Sequence, residues 1–127
     1  MWWYKVVQFL LSPTILLNPP ENCQVSRQEI FGHVISVYEK GNLNEAILEA
    51  NDLQFAFQAS VFSDNHSEIM DIVNRLDESA IMINEHSAFR VDWMPFAGRK
   101  KSGFGVGGIR HSIEEESQSK MVVFSIN

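Results

Sequence analysis

Cysteine is almost missing from this 127-residue chain: Cys23 stands alone. An internal disulfide framework and a multi-cysteine zinc site are thereby excluded. A single thiol fits a reducing, cytoplasmic compartment. Basic residues are also scarce, ten Lys and Arg against sixteen Asp and Glu, for a formal net charge of −6. That balance argues against nucleic acid and against an anionic membrane surface as partners. No apolar run approaches the roughly 20 residues that span a bilayer. The stretch Met1 to Leu11 has one early cation, Lys5, and an apolar run, but Gln8, Ser12 and Pro13 interrupt it. No small-residue cleavage site follows, so it is not read as a signal peptide. Repeats and low-complexity linkers are missing too.

What is present suits one soluble globular domain: 45% hydrophobic and 20% charged residues. Pro13, Pro19 and Pro20 bracket a short apolar strand, Thr14 to Leu17, and Pro19-Pro20-Glu21-Asn22 reads as a turn. A second strand is expected over Ile30 to Tyr38, broken by Gly32 and His33. Asn42 is a good helix N-cap, with Glu45 three residues on. Leu43, Ala46, Ile47, Ala50 and Leu53 then form one apolar stripe. Phe55 to Phe62 reads as a strand. Asp64 or Asn65 starts a second helix, whose stripe is Ile69, Ile72, Val73 and Leu76. Ala80 to Ile83 is an unalternating apolar run, the pattern of a strand covered on both faces.

This alternation predicts an α/β fold with a mostly parallel sheet and crossover helices. Residues 85–108 form a long loop that holds five of the seven glycines. A loop of that length is more often functional than idle. A short helix around Ile109 and Ile113 follows. Met121 to Ile126 is apolar and β-prone, and reads as a C-terminal strand that needs a partner.

Several motifs invite chemical readings that fail on context. Gly103, Gly105 and Gly108 match G-x-G-x-x-G, but a loop precedes them and only 19 residues follow. The dinucleotide fingerprint needs a strand before, a helix after and an acid further on. Loop glycines with unusual dihedrals or close backbone packing explain the match better. Arg99, Lys100 and Lys101 could hold a phosphate or a carboxylate, or form a solvated loop tip. His33, His66, His86 and His111 share no helix face at ligand spacing, so no metal site is expected. Cys23 beside a turn reads as an inert thiol, and Glu114, Glu115 and Glu116 as a solvated helix face.

Three stretches in order go further. Gln28-Glu-Ile-Phe-Gly-His-Val34 resembles the E-[IE]-F-G-P-V element of the aldehyde dehydrogenase superfamily. Pro95-Phe-Ala-Gly-Arg-Lys-Lys-Ser-Gly-Phe-Gly-Val-Gly-Gly108 resembles its P-F-G-G-x-K-x-S-G-x-G-R-E signature. Ile83-Asn84 ends a strand eleven residues before Pro95, close to the family spacing. Upstream, Ser12-Pro-Thr-Ile-Leu16 is similar to the strand that precedes the E-x-F-G element. Residues 9–127 carry the likeness and residues 1–8 lie outside it. Arg90-Val-Asp-x-Met-Pro-Phe96 is similar to the branch of lactaldehyde, phosphonoacetaldehyde and non-phosphorylating glyceraldehyde-3-phosphate dehydrogenases.

The resemblance implies part of an oxidoreductase that converts an aldehyde to a carboxylic acid with NAD or NADP. In the family a cysteine attacks the aldehyde, and the resulting thiohemiacetal becomes a thioester that water cleaves. The likeness covers only the C-terminal part of the catalytic domain and its tail. The family's nucleophile and cofactor domain lie upstream of these motifs, and Cys23 stands in the wrong place to be that nucleophile. No catalytic residue is therefore assigned to this chain, and the chain alone is expected to be inactive. By motif position, Glu29 matches the glutamate that binds the nicotinamide ribose, and Phe31 the aromatic beside the nicotinamide ring. Phe96 and Phe89 match aromatics of the substrate mouth; the resemblance to that branch and the charge of Arg90 imply that it faces an anionic group of the substrate. The plainer readings are core packing for Phe31 and Phe96 and a surface carboxylate for Glu29. The family tail implies a homo-oligomer through the C-terminal strand. The alternative is an inactive truncated relative serving as an oligomerisation or binding module. His33 replaces the family's usual proline, Ala97 a glycine, and Val106-Gly107 an Arg-Glu pair. Ala97 is harmless unless its backbone needs a positive φ.

Overall fold

The strand that the prolines bracket, β1 (Thr14–Leu17), runs parallel to β2 (Val34–Val37), in register from Thr14 opposite Val34 to Leu17 opposite Val37. The computed structural model describes residues 11–126, and the reading of Met1 to Leu11 as a rejected signal peptide lies almost wholly outside them. The chain divides into two compact units, the first ending at Leu53 and the second beginning at Gln54.

In the first unit, Asn18 ends β1 at φ 46°, a conformation that asparagine tolerates better than most residues. Its N–H donates to the Val37 carbonyl at 2.7 Å. The link to β2 contains α1 (Gln24–Arg27), a single turn too short to leave a periodic pattern in the sequence. The strand expected from Ile30 shrinks to Val34–Val37, because Gly32 turns back to the Ile30 carbonyl at 3.0 Å. After it comes α2 (Leu43–Asn51), whose N-cap Asn42 accepts from the Glu45 N–H at 2.9 Å. That bond satisfies one of the orphan donors of the first turn. Ile47 from the predicted stripe is buried.

In the second unit the aromatic-rich run splits into β3 (Phe55–Ala56) and β4 (Gln58–Val61), with Phe57 in neither. Asn65 caps α3 (His66–Arg75), accepting from the N–H groups of Ser67 and Glu68 at 3.1 and 3.3 Å. Then β5 (Ala80–Ile83) pairs in parallel with β4, from Gln58 opposite Ala80 to Val61 opposite Ile83. The long loop is not bare. It holds β6 (Phe96–Ala97), β7 (Arg99–Lys100) and β8 (Val106–Gly107), and leads into α4 (Ile109–Glu115). Antiparallel pairs join β3 to β7 and β6 to β8. Ala56, Val61, Ile69, Ile72 and Met82 are the buried apolar residues of this unit.

Three expectations change. Among the described residues the mostly parallel sheet becomes four two-stranded sheets, two parallel and two antiparallel, because β2 pairs with β1 and β4 with β5. The strand Ala80–Ile83 is not covered on both faces: Met82 is buried, but Ile83 is exposed. Met121 to Ile126 forms no strand, and its apolar side chains lie in solvent. β-propensity needs a pairing edge to become a strand, and this segment has no ladder partner among the described residues. No helix among the described residues is long and apolar enough to cross a membrane.

Candidate functional site

The family-like residues fall on both units. In the first, the E-I-F-G element is the loop between α1 and β2. Helix α1 ends at Gln28, which turns to extended backbone. The Arg27 guanidinium pairs with Asp52 and donates to the Glu21 carbonyl, which holds the start of the loop. At its far end the His33 carbonyl accepts from the Thr14 N–H at 2.8 Å. Glu29 is exposed between these anchors, and Phe31 is 94% exposed. The packed-core reading of Phe31 is thus excluded. A carboxylate accepts from both hydroxyls of a ribose, and an open aromatic face stacks on a planar ring. On this structure the two residues fit the chemistry of a nicotinamide nucleotide.

Cys23 lies in the same unit as the N-cap of α1. Its Sγ is 3.2 Å from the Ser26 Oγ, which also receives the Tyr38 hydroxyl at 2.6 Å. The Ser26 hydrogen bond draws the thiol below its ordinary pKa, but its hydrogen-bonding neighbour is a hydroxyl and not an imidazole base.

The second unit brings two of the predicted mouth residues together. The Arg90 guanidinium carbon lies 4.3 Å from the centre of the Phe96 ring. Stacking of this kind holds a guanidinium at a ring face while its edges keep their donors. Phe96 meets Phe57 edge-on, ring centres 4.9 Å apart. Phe96 is 45% exposed and Phe89 41% exposed, so neither is ordinary core. Among the described residues, the ring contacts join Phe96 to Phe57 and to Arg90 and do not include Phe89.

The signature loop is built for close backbone approach. A Cβ at Gly98 would stand 2.4 Å from the Ser102 carbonyl carbon, so only glycine fits without opening the turn. Gly108 adopts φ 118°, with the Met94 carbonyl oxygen 3.1 Å from where a Cβ would sit. These observations support the loop reading of the glycines over the dinucleotide fingerprint. Ala97 is not at positive φ, so its methyl group is tolerated.

The basic triplet is exposed, and its charges are engaged by neighbours. Arg99 pairs with Asp77 at 2.7 Å, and Lys100 lies 3.8 Å from the same carboxylate. Lys101 donates to the Gln54 side chain. Ser102 docks the loop on β3 by accepting from the Ala56 N–H at 3.0 Å. Asn84 docks its start. The Asn84 side chain accepts from the Ser63 N–H and donates to the Ser63 carbonyl, both at 3.0 Å. Sequence reasoning missed Gln54, Ser63 and Asp77, which lie far from the loop in the chain and belong to no local pattern. A polar cleft of about 490 Å³ includes Arg75, Asp77, Glu78 and Arg99 in its walls, and none of Phe89, Arg90 or Phe96.

Comparison with known proteins agrees with this architecture. The sequence profile of the aldehyde dehydrogenase family matches residues 5–122, and the chain belongs to that family. It is 39% identical over 114 residues to lactaldehyde dehydrogenase of Methanococcus maripaludis strain C5, covering 90% of this chain and 24% of that protein. It is 33% identical to 3-sulfolactaldehyde dehydrogenase of Priestia aryabhattai, with the same coverage. Among solved structures, NADP-dependent glyceraldehyde-3-phosphate dehydrogenase of Bacillus halodurans, complexed with NADP, matches with a TM-score of 0.81. The two are 35% identical, over 86% of this chain and 23% of that one. The chain thus spans about a quarter of the length of these relatives.

Proposed function

We propose that this chain is the C-terminal part of an enzyme that oxidises a small aldehyde bearing an anionic or hydroxyl group, with NAD or NADP as oxidant. The observation that carries the reading is the Arg90 guanidinium stacked on Phe96 at the signature loop. Sulfolactaldehyde and glyceraldehyde 3-phosphate, in the names of two relatives, both carry an anion that a guanidinium binds through paired donors. Arg90 would orient that end of the substrate, and Phe96 and Phe89 would exclude water from its carbon chain. Glu29 would accept from the ribose hydroxyls and Phe31 would lie against the nicotinamide. When bound, the nicotinamide would take up the hydride lost by the aldehyde.

The 127 residues alone are expected to lack turnover. Purified chain with NAD+ or NADP+ and a panel of aldehydes should give no more reduced cofactor than a Cys23→Ala control. The decisive test reads the genomic DNA before the Met1 codon. An in-frame upstream sequence with a cysteine and a cofactor domain is expected. In the longer enzyme, Arg90→Ala should lower kcat/KM for an anionic aldehyde by about tenfold or more, the value of a charge-assisted hydrogen bond. A stop codon close upstream, or an Arg90→Ala enzyme as active as its parent, overturns the reading.

One observation favours a second reading, an inactive relative serving as an oligomerisation or binding module. Met121, Val123, Phe124 and Ile126 are each more than 80% exposed. Bare apolar groups in sequence mark an association site. Sedimentation should show mass rising with concentration, and a monomer at high concentration would count against association through this tail.

A further inference from the structure

The loop that carries Glu29 and Phe31 leaves from the end of α1, and α1 has little of its own to hold it. It is four residues long, buries none of them, and its N-cap Cys23 makes no side-chain capping bond. A single turn is the costly nucleus of a helix and does not persist unaided. Bonds from its side chains to the rest of the first unit therefore fix its place.

One tether is the Arg27 guanidinium, which reaches the Asp52 carboxylate and the Glu21 carbonyl. Arg27 and Asp52 are both exposed, so water and salt weaken their pairing. A second tether is half-buried. The Tyr38 hydroxyl donates to the Ser26 Oγ at 2.6 Å, and the Ser26 hydroxyl donates on to the Pro20 carbonyl at 2.9 Å. Tyr38 stands one residue past β2, and Pro20 lies in the segment that leaves β1. The relay thus ties α1 to the chain beyond both strands of the parallel pair. Gln28 then closes the turn by donating its N–H to the Gln24 carbonyl at 2.8 Å, and Glu29 follows. The His33 carbonyl, held by the Thr14 N–H of β1, anchors the other side. Residues 29–32 are slung between these two fixed points.

We propose that Tyr38 is a positioning residue for the nucleotide-binding loop: its hydroxyl fixes α1 through Ser26, and α1 fixes the point from which the Glu29 and Phe31 segment departs. The inference rests on the proposed function for what the loop binds, but the tether is measurable without cofactor.

Tyr38→Phe removes the hydroxyl and keeps the ring, whose centre lies 5.8 Å from the Lys40 Nζ. In the 127-residue chain, NMR order parameters of the Glu29, Ile30 and Phe31 amides should fall in Tyr38→Phe. They should fall equally in Ser26→Ala, which breaks the same relay, and no further in the double variant. Asn42→Ala removes a helix cap from the same unit and should leave them unchanged. In the longer enzyme, Tyr38→Phe should raise the KM for NAD or NADP by about threefold to tenfold, the value of one hydrogen bond, with the aldehyde KM unchanged. If Tyr38→Phe fails to fold, Ser26→Ala decides the matter. Loop amides as ordered in both variants as in the wild type would overturn the proposal, as would an equal loss in Asn42→Ala. A loss in Tyr38→Phe that Ser26→Ala does not share would overturn it too, since the hydroxyl would then act elsewhere. Lost order with an unchanged cofactor KM would instead retire the ribose reading of Glu29 and leave the positioning intact.

Discussion

Each unit contains one parallel pair of four-residue strands, and the two pairs are finished differently. Between β4 and β5 the chain makes α3, ten residues with an apolar stripe, and Ile69, Ile72, Val61 and Met82 are buried. Between β1 and β2 it makes only the four-residue α1, which buries nothing. Ile15, Leu17, Ile35 and Val37 alternate onto one face of that pair, in register, and all are exposed. Parallel sheets ordinarily have both faces covered. A crossover must be long enough to carry a helical stripe before it can cover the strands that it joins.

The largest expected effect falls where coverage is complete. Ile72→Ala should cost the second unit about 2 to 5 kcal/mol, the usual range for emptying a buried isoleucine site. Urea unfolding followed by tryptophan fluorescence and amide exchange would measure it, and a cost near zero would deny that α3 carries the core. Next is the cap that starts α3. Asn65→Ala removes the acceptor for two N–H groups and should cost about 1 kcal/mol by the same assay.

A smaller effect depends on pH. A carboxyl whose pKa is raised in the folded state binds its proton more tightly there than in the unfolded chain. Its charge therefore destabilises the fold above the raised pKa, and that penalty fades as the pH falls through it. Glu78→Gln keeps the size of the side chain and removes the charge of a carboxyl that burial pushes up. It should unfold at a higher midpoint than wild type at neutral pH, with the gap closing in acid below the ordinary value of 4.5. A gap that widens in acid would reverse the sign and refute the assignment. The least effect belongs to the bare pair. Ile15→Thr and Ile35→Thr should each change stability by no more than about 0.5 kcal/mol. A cost like that of Ile72→Ala would mean that this face is covered in solution.

Much of this contrast is legible in the sequence, but not all of it. Prolines on both sides mark β1 to the residue, because proline fixes φ and lacks a donor. Asn42 and Asn65, each with a glutamate three residues on, mark the starts of α2 and α3. The ladders of β3 with β7 and β6 with β8 are two residues long and have no period to detect. The apolar tail shows the opposite failure, a strand-like composition without an edge to join.

The candidate site divides the same way. Motif order alone picks out Glu29, Phe31, Phe89, Arg90 and Phe96, and with them the family. It does not show that Arg90 lies on Phe96, that Asp77 pairs with the basic triplet, or that Ser79 and Ala80 hold the Phe57 carbonyl. Caps, proline brackets and motif glycines act through neighbours a few residues away, so the sequence by itself determines them. The ion pair of Arg99 with Asp77, the ring contact of Phe57 with Phe96 and the ladders of β1 with β2, β3 with β7 and β4 with β5 join residues twenty or more positions apart. Only the tertiary structure chooses among the partners available to them, because each such contact requires closing a loop whose entropy the surrounding packing must offset.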